Sequence, residues 1–279
     1  MTRKLMNWVI VLVLLALVAW RYGFWDGGVI KTEGEPTEIE PTVKEAREVR
    51  FAVMADIHLN WSDMEKFLEK AGERGSEFVL VAGDMTSLGT RQETAKAKEM
   101  LERGGVSYYA VPGNHDLWWG EKNGENVFSE YFGREYQSFK TEDNKFILIN
   151  NGSEKGLGRE QFDWIKEELD ECGDYYCVAV MHMPLNHNFS TYVMGEGNEE
   201  VSREAKNLLE ILRNEGVKDI IAGHLHYSSS YEIDGIRTYL VGAVSRNRNT
   251  QAPRYTEFKI KSGILERQVI ISENNDIGN

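Results

Sequence analysis

Cysteine is nearly absent: Cys172 and Cys177 are the only two in 279 residues. That excludes a metal site built from cysteine and leaves two readings of the pair. Either they close a short-loop disulfide, as an oxidising compartment would favour, or Cys177 is a buried thiol within the apolar "YYCVAVM" and Cys172 is unrelated. Basic residues are in deficit as well. Lys and Arg number 32 against 45 Asp and Glu, a net charge of −13. A protein whose main task is gripping nucleic acid needs basic surface to neutralise phosphates, so nucleic acid is an unfavoured partner. No internal repeat appears, which excludes solenoids and arrays. Histidine is scarce too, with six in the chain, so their placement carries information.

Long apolar runs are absent except for one, at the start. "MTRK" is basic, Leu5 to Trp20 is apolar, and "RYGFW" follows. As a helix at about 1.5 Å per residue, Leu5 to Trp25 reaches roughly 30 Å, the thickness of a hydrocarbon core. Trp20, Tyr22 and Trp25 suit an interfacial belt, and Arg21 can snorkel. Residues 1–25 are therefore expected to form one transmembrane helix anchoring the chain. The rival is a cleaved signal peptide, but cleavage after Ala19 would put Leu17 where a small residue is wanted. Arg3 and Lys4 place the amino end in the cytoplasm and the rest outside. Residues 26–49, rich in Gly, Pro and Glu without apolar period, read as a linker. Residues 50–272 have the composition of one globular domain, and 273–279 form a tail. Oligomeric state is not legible.

Within the domain, apolar runs alternate with helical spacing. "VRFAVM", "EFVLVA" and "VSYYAV" are strands, separated by the helical "SDMEKFLEKAGER" and "TRQETAKAKEMLERGG". Later come the helical "GREQFDWIKEELDE", the strand "YYCVAVM", the helical "EEVSREAKNLLEILRNEG" and the strand "VKDIIA". Beyond Tyr227 the pattern becomes short strands with turns. This predicts an α/β domain with mixed sheets.

The strand ends share a property. "FAVMA" ends in Asp56-Ile57-His58, "FVLVA" in Gly83-Asp84, "YYAVP" in Gly113-Asn114-His115-Asp116, "CVAVM" in His182, and "DIIA" in Gly223-His224-Leu225-His226. Five of the six histidines sit there. In open α/β sheets, ligands bind beyond the carboxyl ends of strands. Imidazoles, carboxylates and an amide oxygen converging on one crevice are a donor set for Mn²⁺, Fe or Zn²⁺.

These residues, in this order, resemble the calcineurin-like metallophosphoesterase superfamily, over roughly Arg50 to Val244. The resemblance implies a four-layer αββα sandwich, two mixed β-sheets flanked by helices. It implies that Asp56, His58, Asp84 and His226 hold one metal ion, and that Asp84, Asn114, His182 and His224 hold a second, with Asp84 bridging. Two ions about 3.5–4 Å apart would deprotonate a bridging water and clamp the phosphoryl oxygens during in-line attack on a phosphomono- or diester. His115 would stabilise developing charge or protonate the leaving oxygen. One departure stands out: Ser87 occupies the position where the family usually has Asp or Asn, an acid that in some relatives orients the catalytic histidine. Asp116 is the candidate for part of that task.

Three further features are open. His187 is an exposed loop histidine or a substrate contact. Trp118 and Trp119 wall a pocket or pack on a neighbouring helix. Residues 188–200 are a lid or a connector. The expected function is a membrane-anchored, two-metal phosphohydrolase with its domain outside the cytoplasm. The alternatives are a nuclease of the same superfamily and a non-catalytic scaffold on the same fold.

Overall fold

The computed structural model describes residues 47–247 and 249–272. The expected membrane helix, most of the linker and the tail from 273 lie outside the described residues. Among the described residues no helix is long and apolar enough to cross a membrane.

In chain order the first half runs β1 (Val49–Met54), α1 (Trp61–Glu73), β2 (Phe78–Ala82), α2 (Arg91–Arg103), β3 (Ser107–Val111), α3 (Asn114–Asn123), α4 (Val127–Phe132), β4 (Gln137–Thr141) and β5 (Asn144–Ile149). The second half runs α5 (Gly158–Leu169), β6 (Tyr176–Met181), α6 (Glu199–Asn214), β7 (Asp219–Ala222), β8 (Ser228–Ile233), β9 (Ile236–Val241), β10 (Arg254–Lys261) and β11 (Ile264–Ile271). One sheet has the order β11-β10-β1-β2-β3 and the other β4-β5-β6-β7-β9-β8. Both are mixed. The parallel pairs β1–β2, β2–β3, β5–β6 and β6–β7 are joined by helical crossovers, β7–β9 is parallel with β8 between them in sequence, and the pairings β1–β10, β10–β11, β4–β5 and β8–β9 are antiparallel.

Strand alternation builds three apolar layers. Along β1, Phe51 and Val53 face the second sheet, while Ala52 and Met54 face α1 and α2. The inter-sheet core joins β1, β2 and β10 to β5, β6, β7 and β9. Outer cores pack α1 and α2 on the first sheet, and α5 and α6 on the second. The order helix, sheet, sheet, helix is the sandwich the resemblance implied. Phe51 sits at its centre, stacked on Phe78 at 5.2 Å and Phe258 at 5.4 Å, with Phe146 edge-on at 5.0 Å. Truncating such a fully buried ring costs about 3–5 kcal/mol.

The Arg47 guanidinium, next to β1, pairs with Glu77 and Glu142. Cys172 and Cys177 are joined in a disulfide that ties the end of α5 to β6, which settles the pair against the buried-thiol reading. β6 carries His182 at its opposite end, so the bridge braces the strand's base rather than the site.

Candidate metal centre

Five loops beyond the carboxyl ends of β1, β2, β3, β6 and β7 converge. The β1 loop brings Asp56 and His58, the β2 loop Asp84, and the β7 loop His224 and His226. β6 runs into His182, and α3 begins at Asn114 and His115. Ligand atoms of Asp56, His58, Asp84 and His226 lie within 4.8 Å of one another, and so do those of Asp84, His182 and His224. Asp84 belongs to both groups. The Oδ1 of Asn114 is 3.1 Å from His182 Nε2, so every expected ligand is in the cluster.

The backbone is bent to achieve this. Asp56, His58, Asp84, His224 and His226 all take positive φ, from 43° to 68°. That left-handed region costs non-glycine residues free energy and gathers at functional sites. Two glycines make the room. Gly83 has φ +83°, and a Cβ there would lie 2.5 Å from His182 Nδ1. At Gly113 a Cβ would lie 2.1 Å from Asp84 Oδ1. Strands cannot turn so sharply beside two ligands with a side chain in the way.

Hydrogen bonds aim the imidazoles. His182 Nδ1 meets the Ala82 carbonyl at 2.9 Å, which turns Nε2 toward Asp84 Oδ2 at 3.3 Å. His224 Nδ1 lies 3.2 Å from His182 Nε2. His58 Nε2 is 3.2 Å from His226 Nε2 and 3.7 Å from Asp84 Oδ2, and His226 Nε2 is 3.5 Å from Asp56 Oδ1. The Asp56 carboxylate accepts from the His224 amide at 2.9 Å, linking the β1 and β7 loops.

Electrostatics sort these groups. Burial pushes His58 down to about 4 and His224, beside His182, down to about 3, which favours the neutral imidazole at both. Burial would raise Asp84, but His182 and His58 hold it below the usual carboxylate range. Burial would lower His182, yet Asp84 beside it lifts it to about 9. Burial drives Asp56 well up against the pull of His182, and the Asp84 carboxylate adds to the rise. Nitrogen and oxygen donors face one another at 3.1–3.7 Å, the shorter of these within and the longer a few tenths of an ångström beyond the spacing of about 3.0–3.4 Å for ligands around one ion with bonds near 2.1 Å. The residues fit a cation, and the mixed donor set suits first-row transition ions.

His115 starts α3 with its amide donating to Asp84 Oδ1 at 2.9 Å. Its ring lies edge-on to His58 at 4.8 Å, and its Nδ1 meets the Ser87 main-chain carbonyl at 2.7 Å. Asp116 has a different part from the one expected. Its buried carboxylate accepts from Thr86 Oγ1 at 2.7 Å and from the amides of Thr86, Gly113 and Met85. It ties the β2 loop to the start of α3 and does not orient His115. Burial raises its pKa, with Asp84 adding to the effect.

Asn151 was missed in the sequence. Fully buried, it accepts from the amides of His182 and Met183 and donates to the Met183 carbonyl at 2.6 Å. The signal was present, because "FILI" also ends in polar residues, Asn150 and Asn151. His187 is held within its loop by Tyr227 Oη at 2.7 Å and by the amides of Phe189 and Ser190. Trp118 lies under the Lys122 ammonium at 3.6 Å. A cavity of about 500 Å³ opens on the cluster between Asn114 and His224. Residues 192–198 form part of its wall, pinned by buried Met194, whose amide donates to the Pro184 carbonyl at 3.0 Å. Neither Trp118 nor Trp119 lines it.

Residues 49–228 match the sequence model of the family described as calcineurin-like phosphoesterase. A protein from Arcobacter nitrofigilis named as a probable glycerophosphodiester phosphodiesterase GpdQ is 26% identical over 174 residues, 55% of this chain and 58% of that one. The chain thus spans a little over half the length of that relative. A probable cyclic nucleotide phosphodiesterase from Ruthia magnifica subsp. Calyptogena magnifica is 21% identical over 192 residues, 68% of this chain and 77% of the other. Among solved structures, yellow lupin purple acid phosphatase PPD1 superposes with TM-score 0.61 at 14% identity, covering 83% of this chain and 53% of the lupin one. Plasmodium GAP50, the anchor in the inner membrane complex, superposes with TM-score 0.58 at 15% identity, covering 83% of this chain and 87% of its own. These structures share the fold.

Proposed function

This chain belongs to the calcineurin-like phosphoesterase family, and from that premise we propose that it is a two-metal phosphodiesterase tethered to a membrane. The carrying observation is Asp84, one carboxylate shared by two groups of nitrogen and oxygen donors. Asp56, His58, Asp84 and His226 would hold one cation, and Asp84, Asn114, His182 and His224 the other. Bound there, divalent ions supply Lewis acidity and neutralise charge at phosphorus. Mn²⁺, Fe and Zn²⁺ all suit the donors.

The chain's own residues do the rest. Asp84 balances charge and, through its bond to the His115 amide, sets where α3 begins. His115 donates through Nδ1 to Ser87, so its Nε2 is a bare acceptor when neutral and a donor when charged. A charged His115 can hand the Nε2 proton to the leaving alcohol or hydrogen-bond the phosphoryl oxygens. Diesters are favoured by the names of the two relatives and by the cavity, which gives a second alcohol somewhere to sit. Assaying the purified full chain with Mn²⁺ against phosphomonoester, diester and pyrophosphate panels tests this. Diester hydrolysis should dominate, and no turnover of any panel would leave the scaffold reading.

The tether rests on residues 1–25. The disulfide supports a domain outside the cytoplasm, since such bonds persist in oxidising compartments. Protease added to intact cells should release the domain and leave a small membrane stub; protection until lysis would reverse the orientation.

A further inference from the structure

The two donor groups are braced from different sides. In the first, the β1 loop carrying Asp56 and His58 hangs on the β2 loop and on the loop after β9. The amides of Ile57 and His58 donate to the Asp84 carbonyl at 2.8 and 3.0 Å, and those of Val244 and Ser245 donate to the carbonyls of Ala55 and Asp56. Two ligands of the second group, Asn114 and His182, instead meet the end of β5, a strand that supplies none of the expected ligands.

β5 runs parallel to β6 with Ile149 beside Met181, so Asn151 emerges level with the point where the chain leaves β6 for His182. The strand ladder stops there, and buried amides beyond it need acceptors of another kind. One carboxamide serves, because it accepts and donates at once. Asn151 Oδ1 accepts from the His182 amide at 3.0 Å and the Met183 amide at 2.9 Å, while Nδ2 donates to the Met183 carbonyl at 2.6 Å. Nδ2 also reaches Met194 Sδ at 3.8 Å, so the chain after β6 is held at His182 and again at Met194. Gly152 supports Asn114 by contact. A Cβ there would lie 2.7 Å from the Gly113 carbonyl carbon and 3.0 Å from the Asn114 nitrogen, so the missing side chain lets β5 lie against the turn that presents Asn114.

We propose that the end of β5, through Asn151 and Gly152, positions the ion held by Asn114, His182 and His224, and leaves the ion held by Asp56, His58 and His226 to the loop after β9. The inference rests on the two-metal reading and adds that one ion can be released separately, from outside the ligand set. Asn151 is a positioning residue that acts through His182. Without its carboxamide the two buried amides lose their acceptor, and the peptide that aims the imidazole turns to find another. Groups that orient ligands in this way are worth about 10–100-fold in metal affinity.

Equilibrium dialysis of the full chain against graded Mn²⁺, read by elemental analysis, tests this in two backgrounds. His226→Ala leaves mainly the ion of the second group, and His224→Ala mainly that of the first. Adding Asn151→Ala should weaken Mn²⁺ binding about 10–100-fold in the His226→Ala chain and less than about twofold in the His224→Ala chain. Gly152→Ala disturbs Asn114 by crowding rather than by a lost bond. It should repeat the pattern, and it decides the matter if Asn151→Ala does not fold. A general loss of packing would weaken both backgrounds alike. Equal weakening in the two, or none in the His226→Ala chain, overturns the inference and leaves the two-metal reading standing. Fewer than about one ion in the unaltered chain overturns both.

Discussion

The Nδ1 of His115 lies 2.7 Å from the main-chain carbonyl oxygen of Ser87. An orienting acid at position 87 is therefore not needed, because the peptide backbone fixes the ring and its tautomer. A carbonyl carries no full charge, so it aims His115 without strengthening it as a base. Ser87→Ala keeps the carbonyl and should change turnover less than about twofold, far below the 10²–10⁴ expected for losing acid–base help. A loss beyond tenfold in steady-state assays would put the hydroxyl, not the backbone, in charge.

His115→Ala separates catalysis from metal binding. The amide bond to Asp84 survives the change, so metal content should stay near normal. If His115 protonates the leaving alcohol, loss should be about 10²–10⁴ for alkyl esters and small for nitrophenyl esters, whose leaving group needs no proton. If it acts on the phosphoryl oxygens, both should suffer alike. The uncharged partner at Ser87 favours the second pattern. Unchanged turnover of both ester types would end the assignment.

Gly83→Ala probes the bend that admits His182. A Cβ would meet the imidazole at 2.5 Å in a backbone of φ +83°, so strain of about 1–3 kcal/mol is expected. Urea unfolding should show the lower midpoint, with metal lost from the group that contains His182. Wild-type stability would mean that the loop relaxes freely.

Arg246 clamps a loop to the site from outside. Its guanidinium pairs with buried Asp63, with Nε to Oδ2 at 2.9 Å and Nη2 to Oδ1 at 3.0 Å, while Asn60 bridges Asp63 to the Val244 carbonyl. The amides of Val244 and Ser245 in turn donate to the carbonyls of Ala55 and Asp56. Arg246→Ala leaves a buried carboxylate short of a partner and should cost about 1–3 kcal/mol by denaturant titration. No change would show that solvent replaces the guanidinium at its half-exposed face.

The site was legible because its residues follow buried strands. An unbroken apolar run such as "FVLVA" marks a central strand, and the polar residue ending it can point only into the crevice. All seven expected ligands are in the cluster for that reason. Helix α3 was less visible, because Gly113 and two tryptophans at 118 and 119 blur its period. Strands β4 and β5 were hidden by Lys140 and Lys145. Buried Lys145 is neutralised across sequence by Glu168 and Glu171, which no local pattern reveals. The part played by Asp116 is likewise not local: on a helix i and i+1 point apart, so its carboxylate faces away from His115 and turns back to Thr86.

The shared carboxylate of Asp84 joins the two donor groups into one centre, and metal content tests that most directly. Elemental analysis of the full chain, stripped and reloaded with Mn²⁺, Fe or Zn²⁺, should give about two ions per chain. His226→Ala should lose mainly one of them, and Asp84→Asn should lower both. Fewer than about one ion in the unaltered chain, or the same single-ion loss in the two variants, would contradict a centre built on Asp84.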